Sequence, residues 1–278
     1  MKEILRTRFG NCTLVTHLDG PGPKILGIPG IPGGPRDFAP LSEALRDSEA
    51  FPIQPKLMAL TLPNDLHGEM RISNDDRHLF FLTSFMEDVF SQMGPPRVHI
   101  MGHSYGGAVA LMIAARFPQQ VASFIGVNPV GLQRHPALTL PPRLWKQIYK
   151  PLFQTLGHFS APLIRYAWTK RGIPAMDRIS DDDVRKAIYW VGALDFKWQI
   201  WAARNLQCPA LVLGARNDKV IPSHYVHGLM RGLNKNQPAQ FRMRQRGGHT
   251  LLIREADWVA QALRTFWCHQ GFMDVPSV

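Results

Sequence analysis

The junction His99 to Leu111, HIMGHSYGGAVAL, constrains this chain more than any other segment. An apolar run of strand length meets Gly-His-Ser-Tyr-Gly and then continues as GGAVALMIAARFP, a small-residue helical run stopped by Pro118. Ser104 therefore falls at a strand-to-helix turn. Glycine reaches strained or positive φ at little steric cost, so Gly102 and Gly106 are expected to let the backbone fold sharply and leave the Ser104 hydroxyl at the tip.

The rest of the chain supplies the setting for such a turn. EILRTRFG and CTLVTHLDG, broken at Gly10-Asn11, read as an antiparallel hairpin. PKILGI is a short apolar strand running into the Gly- and Pro-rich loop PGIPGGPRDF. A helix follows in which Phe38, Leu41 and Leu45 share a face and Asp37 is the expected N-cap. KLMALTLP is the next strand, and after a polar loop Leu79, Leu82, Phe85, Val89 and Met93 mark a helix closed by Gly94-Pro95. VASFIGV follows the junction helix. Later come the strand PALVLGA, a helix from about Ser223, the strand QFRMRQRG, and a last helix with Trp258, Val259, Ala262, Leu263 and Phe266 on one side. Strands alternating with helices imply βαβ units and a mostly parallel sheet wound on both faces.

Between Gly131 and Ala203 this rhythm stops. Helical stretches interrupted by prolines replace it, and five of the seven tryptophans fall there. The expected organisation is an α/β core of residues 1–130 and 204–278 with a helical insertion at 131–203.

Composition narrows the function classes. The chain has 278 residues, 45% of them apolar, enough for a large core. Its first residues lack the apolar region of a secretory signal, and no apolar stretch is long enough for a membrane span. Cys12, Cys208 and Cys268 are odd in number and far apart, which argues against a disulfide framework or a metal site and fits the cytoplasm. The net charge is +11, and 131–203 carries 11 Lys and Arg against 5 Asp and Glu. The densest basic patch, Arg242, Arg244 and Arg246, alternates with period two and reads as a solvated edge strand. No basic run or repeat suggests a nucleic-acid partner.

A serine hydroxyl becomes a nucleophile at neutral pH when a base takes its proton, and that base needs a third group to hold its tautomer. Acids suited to this role lie in loops after strands downstream of Ser104. The loop after SFIGV offers Asn128 and no carboxylate, whereas the loop after ALVLG offers Asp218 in ARNDKVIP. Of the four later histidines, His224 and His227 sit on the helix directly following and His269 is near the C-terminus. His249, in RQRGGHTLL, alone follows a strand. The candidates are Ser104, Asp218 and His249, in that chain order.

With GHSYGG, ALVLGARNDKVIP and GGHTLL in these places, the chain resembles the α/β-hydrolase fold superfamily over nearly its whole length, and its capped, esterase- and lipase-like serine hydrolases in particular. The resemblance implies a doubly wound sheet, residues 131–203 as a cap or lid, and a Ser–Asp–His triad acting through an acyl-enzyme. It also implies an oxyanion hole of two backbone N–H groups, from Tyr105 and from the PGIPGG loop at Ile31. Two segments depart from the family pattern. Pro29-Gly30 stands where the family usually has His-Gly, and Asp65-Leu66-His67-Gly68 only partly matches Asp-x-x-Gly-His-Gly.

The expected substrate is a small-molecule ester or thioester with an apolar acyl or aromatic group, since the cap would roof the pocket with Trp145, Tyr149, Trp168, Trp190 and Trp198. No cofactor and no metal are called for. Lys146 and Lys150 beside Trp145 and Tyr149 would suit a helix lying on a membrane surface, which nearby prolines disfavour. Two alternatives stay open: a small peptidase, because PGIPGGPRDF also resembles the loop of proline iminopeptidases, and a non-catalytic binding protein on the same scaffold.

Overall fold

The computed structural model describes residues 1–46, 51, 53–62, 78–94, 97–133, 160–170, 179–181, 184 and 194–273. Its strands are β1 (Lys2–Thr7), β2 (Gly10–Asp19), β3 (Lys24–Ile28), β4 (Lys56–Leu60), β5 (Val98–His103), β6 (Val121–Val127), β7 (Ala210–Ala215) and β8 (Ala239–Arg244). They form one sheet in the order β1-β2-β4-β3-β5-β6-β7-β8. The first hairpin is antiparallel, β2 joins β4 antiparallel, and every later pairing is parallel. This is the mostly parallel α/β architecture that the strand and helix alternation predicts.

Among the described residues the α-helices are α1 (Ala39–Arg46), α2 (His78–Met93), α3 (Tyr105–Arg116), α4 (Ser160–Lys170), α5 (Phe196–Arg204), α6 (Ser223–Gly232), α7 (Leu251–Arg254) and α8 (Ala256–His269). Side chains alternate across the central strands. Ile100, Phe124 and Val212 point into a core shared with α2, α3, α5 and α6. Met101, Ile125, Leu211 and Leu213 point into a second core, under α1 and α8 with Phe266 and Trp267. Both faces are covered, which is why β5, β6 and β7 are buried along their whole length and read as apolar runs rather than alternations.

Two local expectations change. Asp37 does not cap the helix after β3. Gly34 holds the N-cap position of a short 3-10 turn at Pro35–Phe38, and the Asp37 carboxylate reaches back to accept from the Gly34 N–H at 3.3 Å. Arg242 and Arg244 do lie on an edge strand, β8, but its exposure does not alternate cleanly, and Arg244 pairs with Glu255 at 2.9 Å. The segment 64–76, with Asp65 to Gly68, lies outside the described residues, as does most of 134–193. At the end of the expected cap, α5 packs on α3, where the Gln199 side chain donates to the Ala108 carbonyl at 3.1 Å.

Glycines test the packing at the turn. A Cβ on Gly102 would lie 2.1 Å from the Gly106 carbonyl oxygen, and one on Gly106 would lie 2.2 Å from that of Ile28. Gly228 on α6 has open space instead. Gly106→Ala is expected to destabilise by more than about 3 kcal/mol or prevent folding, because backbone cannot move aside as a side chain can. Gly228→Ala should stabilise by roughly 0.5–1 kcal/mol through helix propensity. Urea unfolding of both variants checks the contrast.

Candidate active site

Ser104 links β5 to α3 with φ 54° and ψ −119°, a backbone conformation rare for a residue with a Cβ. Neighbouring main chain holds it there. The Ser104 N–H donates to the Val127 carbonyl at 3.0 Å, and the Ser104 carbonyl accepts from Gly107 at 3.0 Å and Val130 at 3.1 Å. The strain falls on the serine and not on its glycines, since neither Gly102 nor Gly106 has positive φ. Their role is clearance: they let β5, α3 and the β3 loop approach within backbone contact.

His249 reaches the same point from the other side. It follows Gly247 (φ 120°) and Gly248 (φ 62°), which turn the chain after β8 back over the sheet. Its Nε2 lies 2.9 Å from Ser104 Oγ and its Nδ1 2.9 Å from Asp218 Oδ2. A carboxylate only accepts, so Nδ1 carries the proton and Nε2 is left to accept from the serine hydroxyl. The other carboxylate oxygen of Asp218 accepts from Val220 N–H at 2.7 Å and Ile221 N–H at 2.9 Å, which fixes the carboxyl plane. All three residues are buried. Three residues spread over 145 positions of sequence thus form one continuous hydrogen-bonded line.

Tyr105 opens α3, so its N–H belongs to the first turn, where no carbonyl one turn earlier exists within the helix. The 29–31 loop lies against the same spot: a Cβ on Gly30 would meet Ser104 Cβ and His103 Nδ1, each at 3.1 Å. Ile31 is half-buried and packs on the larger core. Two of the aromatic candidates lie among the described residues. Trp168 on α4 is buried within that core, while Trp198 on α5 is 43% exposed and packs edge-on to Trp201 at 5.8 Å. Trp145, Tyr149 and Trp190 lie outside the described residues.

Two residues that the sequence did not single out are joined to His249. Asn128, at the position read as lacking an acid, is fully buried. Its Nδ2 donates to the carbonyls of Gly248 at 2.8 Å and His249 at 3.1 Å, and its Oδ1 accepts from Ala215 N–H at 2.9 Å. His103 donates from Nε2 to the His249 carbonyl at 2.8 Å. A polar residue ending an apolar strand, and a histidine next to the serine, were the available signals; their partner is more than a hundred residues away.

Burial sets the charge state of several groups. His103 is pushed down to about 4, first by desolvation and then by His249 nearby. Burial also lowers His99 to about 4, where its Nδ1 lies 2.8 Å from Ser123 Oγ. Burial raises Asp37 to about 6 against the opposing bond from Gly34.

These residues belong to an α/β protein in which a strained serine between strand and helix meets a histidine and a carboxylate from later loops. The chain is a member of the α/β-hydrolase fold family, whose model matches residues 23–256. Solved structures with the same fold include an enol-lactonase of Burkholderia xenovorans (TM-score 0.73, 15% identity, 95% of this chain and 99% of that one). A thermophilic esterase of Thermogutta terrifontis matches with TM-score 0.67 and 18% identity, over 97% and 98% of the two chains. A carboxylesterase of Bacillus subtilis matches with TM-score 0.66 and 17% identity, over 97% and 92%. In sequence, 75 residues are 35% identical to the dihydrolipoyllysine-residue acetyltransferase component of the acetoin cleaving system of Cupriavidus necator. That match spans 27% of this chain and a fifth (20%) of the relative's length. Among the described residues, no helix is long and apolar enough to cross a membrane.

Ser104→Gly relieves the strained φ while Ser104→Ala keeps it. After the extra unfolded-state entropy of glycine, Ser104→Gly should be more stable than Ser104→Ala by about 1 kcal/mol in denaturant titrations. The depressed histidines contribute stability that is present above their unfolded value of 6.5 and is lost as pH falls towards 4. Asp37 acts oppositely: its contribution is complete below 3.8 and is lost as pH rises through about 6. Two histidines outweigh one aspartate, so the melting temperature should fall from pH 6.5 to 4.5, and Asp37→Asn should make that fall steeper.

Proposed function

We propose that this chain is a serine hydrolase that cleaves a carboxylic ester or thioester of a small to medium apolar or aromatic substrate through an acyl-enzyme. The observation that carries this reading is the line from Ser104 Oγ to His249 Nε2 and from His249 Nδ1 to Asp218, both bonds 2.9 Å long. Ser104 Oγ attacks the substrate carbonyl carbon as His249 Nε2 takes the hydroxyl proton. Asp218, held by two backbone N–H groups, stabilises the imidazolium and keeps its orientation. The backbone N–H groups of Tyr105 and Ile31 receive the developing oxyanion, a contribution for which loss of one donor typically costs about a hundred- to a thousand-fold. His249 then returns the proton to the departing alcohol or thiol, leaving the acyl group on Ser104. A water molecule deprotonated by His249 releases the acid and restores the serine.

The solved relatives called enol-lactonase, esterase and carboxylesterase support acyl chemistry on this fold without fixing a substrate. Residues 131–203 serve as the cap in this reading, with Trp145, Tyr149, Trp168, Trp190 and Trp198 supplying its apolar surface. The partner is a small molecule and the compartment is the cytoplasm. A buried Cys208 thiol pushed up to about 12 is suited to remaining a thiol there.

Labelling with a fluorophosphonate probe tests the assignment. The wild type should label, whereas Ser104→Ala should not, and His249→Ala should label at least about a thousand-fold more slowly. Hydrolysis of p-nitrophenyl esters of increasing chain length then sizes the pocket. A folded wild-type protein that takes no label and cleaves no ester would leave the site as a binding pocket.

A further inference from the structure

The loop that carries His249 depends on glycine for its backbone path. Two consecutive glycines with positive φ, Gly247 and Gly248, immediately precede the histidine. A loop of that kind has many accessible conformations, yet the imidazole must meet two partners on different elements at 2.9 Å each. Asp218 orients the ring through Nδ1, and a restraint on the loop behind the ring acts on the main chain.

Three side chains supply it. Asn217 Oδ1 accepts from the Gly248 N–H at 2.9 Å. Asn128 Nδ2 bridges the Gly248 and His249 carbonyls at 2.8 and 3.1 Å, and His103 Nε2 donates to the His249 carbonyl at 2.8 Å. Asn128 and His103 are buried. Asn128 is itself tied to β7: its N–H donates to Leu213 at 2.8 Å, and its Oδ1 accepts from Ala215, three residues before Asp218. It does this with a left-handed φ of 43°, which β-strand geometry would not produce. His103 adjoins Ser104 in the chain and has its other ring nitrogen, Nδ1, buried with no hydrogen-bond partner. The bond from Nε2 to the His249 carbonyl is therefore the hydrogen bond that holds this buried ring.

We infer that Asn128 and His103 are positioning residues, a two-donor clamp on the His249 carbonyl that sets the imidazole between Ser104 and Asp218. The inference deepens the proposed hydrolase reading and rests on it for its kinetic consequence. The clamp ties together the strand bearing the acid, the strand bearing the nucleophile and the loop bearing the base. Displacement of His103 or Asn128 therefore acts on the histidine at its own carbonyl oxygen.

The test compares wild type with Asn128→Asp, His103→Leu, their double variant and His103→Gln. Asn128→Asp keeps shape and the bond from Ala215 but cannot donate, and His103→Gln retains a donor. Val89→Ala on α2, in the core that does not hold Leu251 and Leu252, controls for lost stability. The readout is the second-order rate of fluorophosphonate labelling per labelled molecule, well below each melting temperature. Asn128→Asp and His103→Leu should each slow labelling by about ten- to a hundred-fold. The double variant should fall short of the product of the two, His103→Gln should recover most of the rate, and Val89→Ala should lower the melting temperature with the rate unchanged. Clamp variants that lose stability but label at the wild-type rate would overturn the inference.

If the wild type itself takes no label, the hydrolase reading fails, and nuclear magnetic resonance of the ring proton on His249 Nδ1 decides the clamp independently. A slowly exchanging downfield signal that is present in the wild type and lost in Asn128→Asp and His103→Leu sustains it. A signal unchanged in both variants, or missing from the wild type, overturns it.

Discussion

Backbone contact between β5, α3 and the loop after β3 is the constraint on which the site depends. Gly102 and Gly106 lie so close to neighbouring carbonyls that no Cβ fits at either position. That closeness leaves one residue, Ser104, to complete the reversal from strand to helix with φ 54°. The same closeness brings the 29–31 loop beside the serine and starts α3 immediately after it. A strained residue persists only where its surroundings over-determine it, and here three backbone hydrogen bonds and two buried elements do so.

Around that point the sheet acts as a rigid frame. β5, β6 and β7 are parallel neighbours buried on both faces, so their C-terminal ends lie side by side and their following loops converge. The serine follows β5, Asn128 follows β6, the aspartate follows β7 and the histidine follows the edge strand β8. Strands contribute position, while the loops contribute chemistry, which is where open parallel sheets generally place their sites.

Electrostatics along the buried strand β5 run against the basic character of the whole chain. The buried histidines at 99 and 103 are held neutral by desolvation, although the protein carries a net charge of +11. A neutral His103 can donate from Nε2 to a carbonyl without placing a positive charge beside His249. Net charge governs solubility and partners over distances comparable to the screening length, whereas the protonation of a buried ring is set by its immediate contacts.

The alternation of strands and helices, the two-faced sheet and the candidates Ser104, Asp218 and His249 were legible in the order of amino acids alone. Those follow from local pattern and from chain order: apolar runs of strand length, helical periodicity in α2 and α8, and short motifs at strand ends. The reach of Asp37 back to Gly34, the strain borne by the serine rather than by its glycines, and the convergence of Asn128 and His103 on one carbonyl were decided only by tertiary structure. The physical reason is range. Periodicity and propensity act between residues a few positions apart, but a hydrogen bond from position 103 or 128 to position 249 exists only after the sheet has brought their strand ends together.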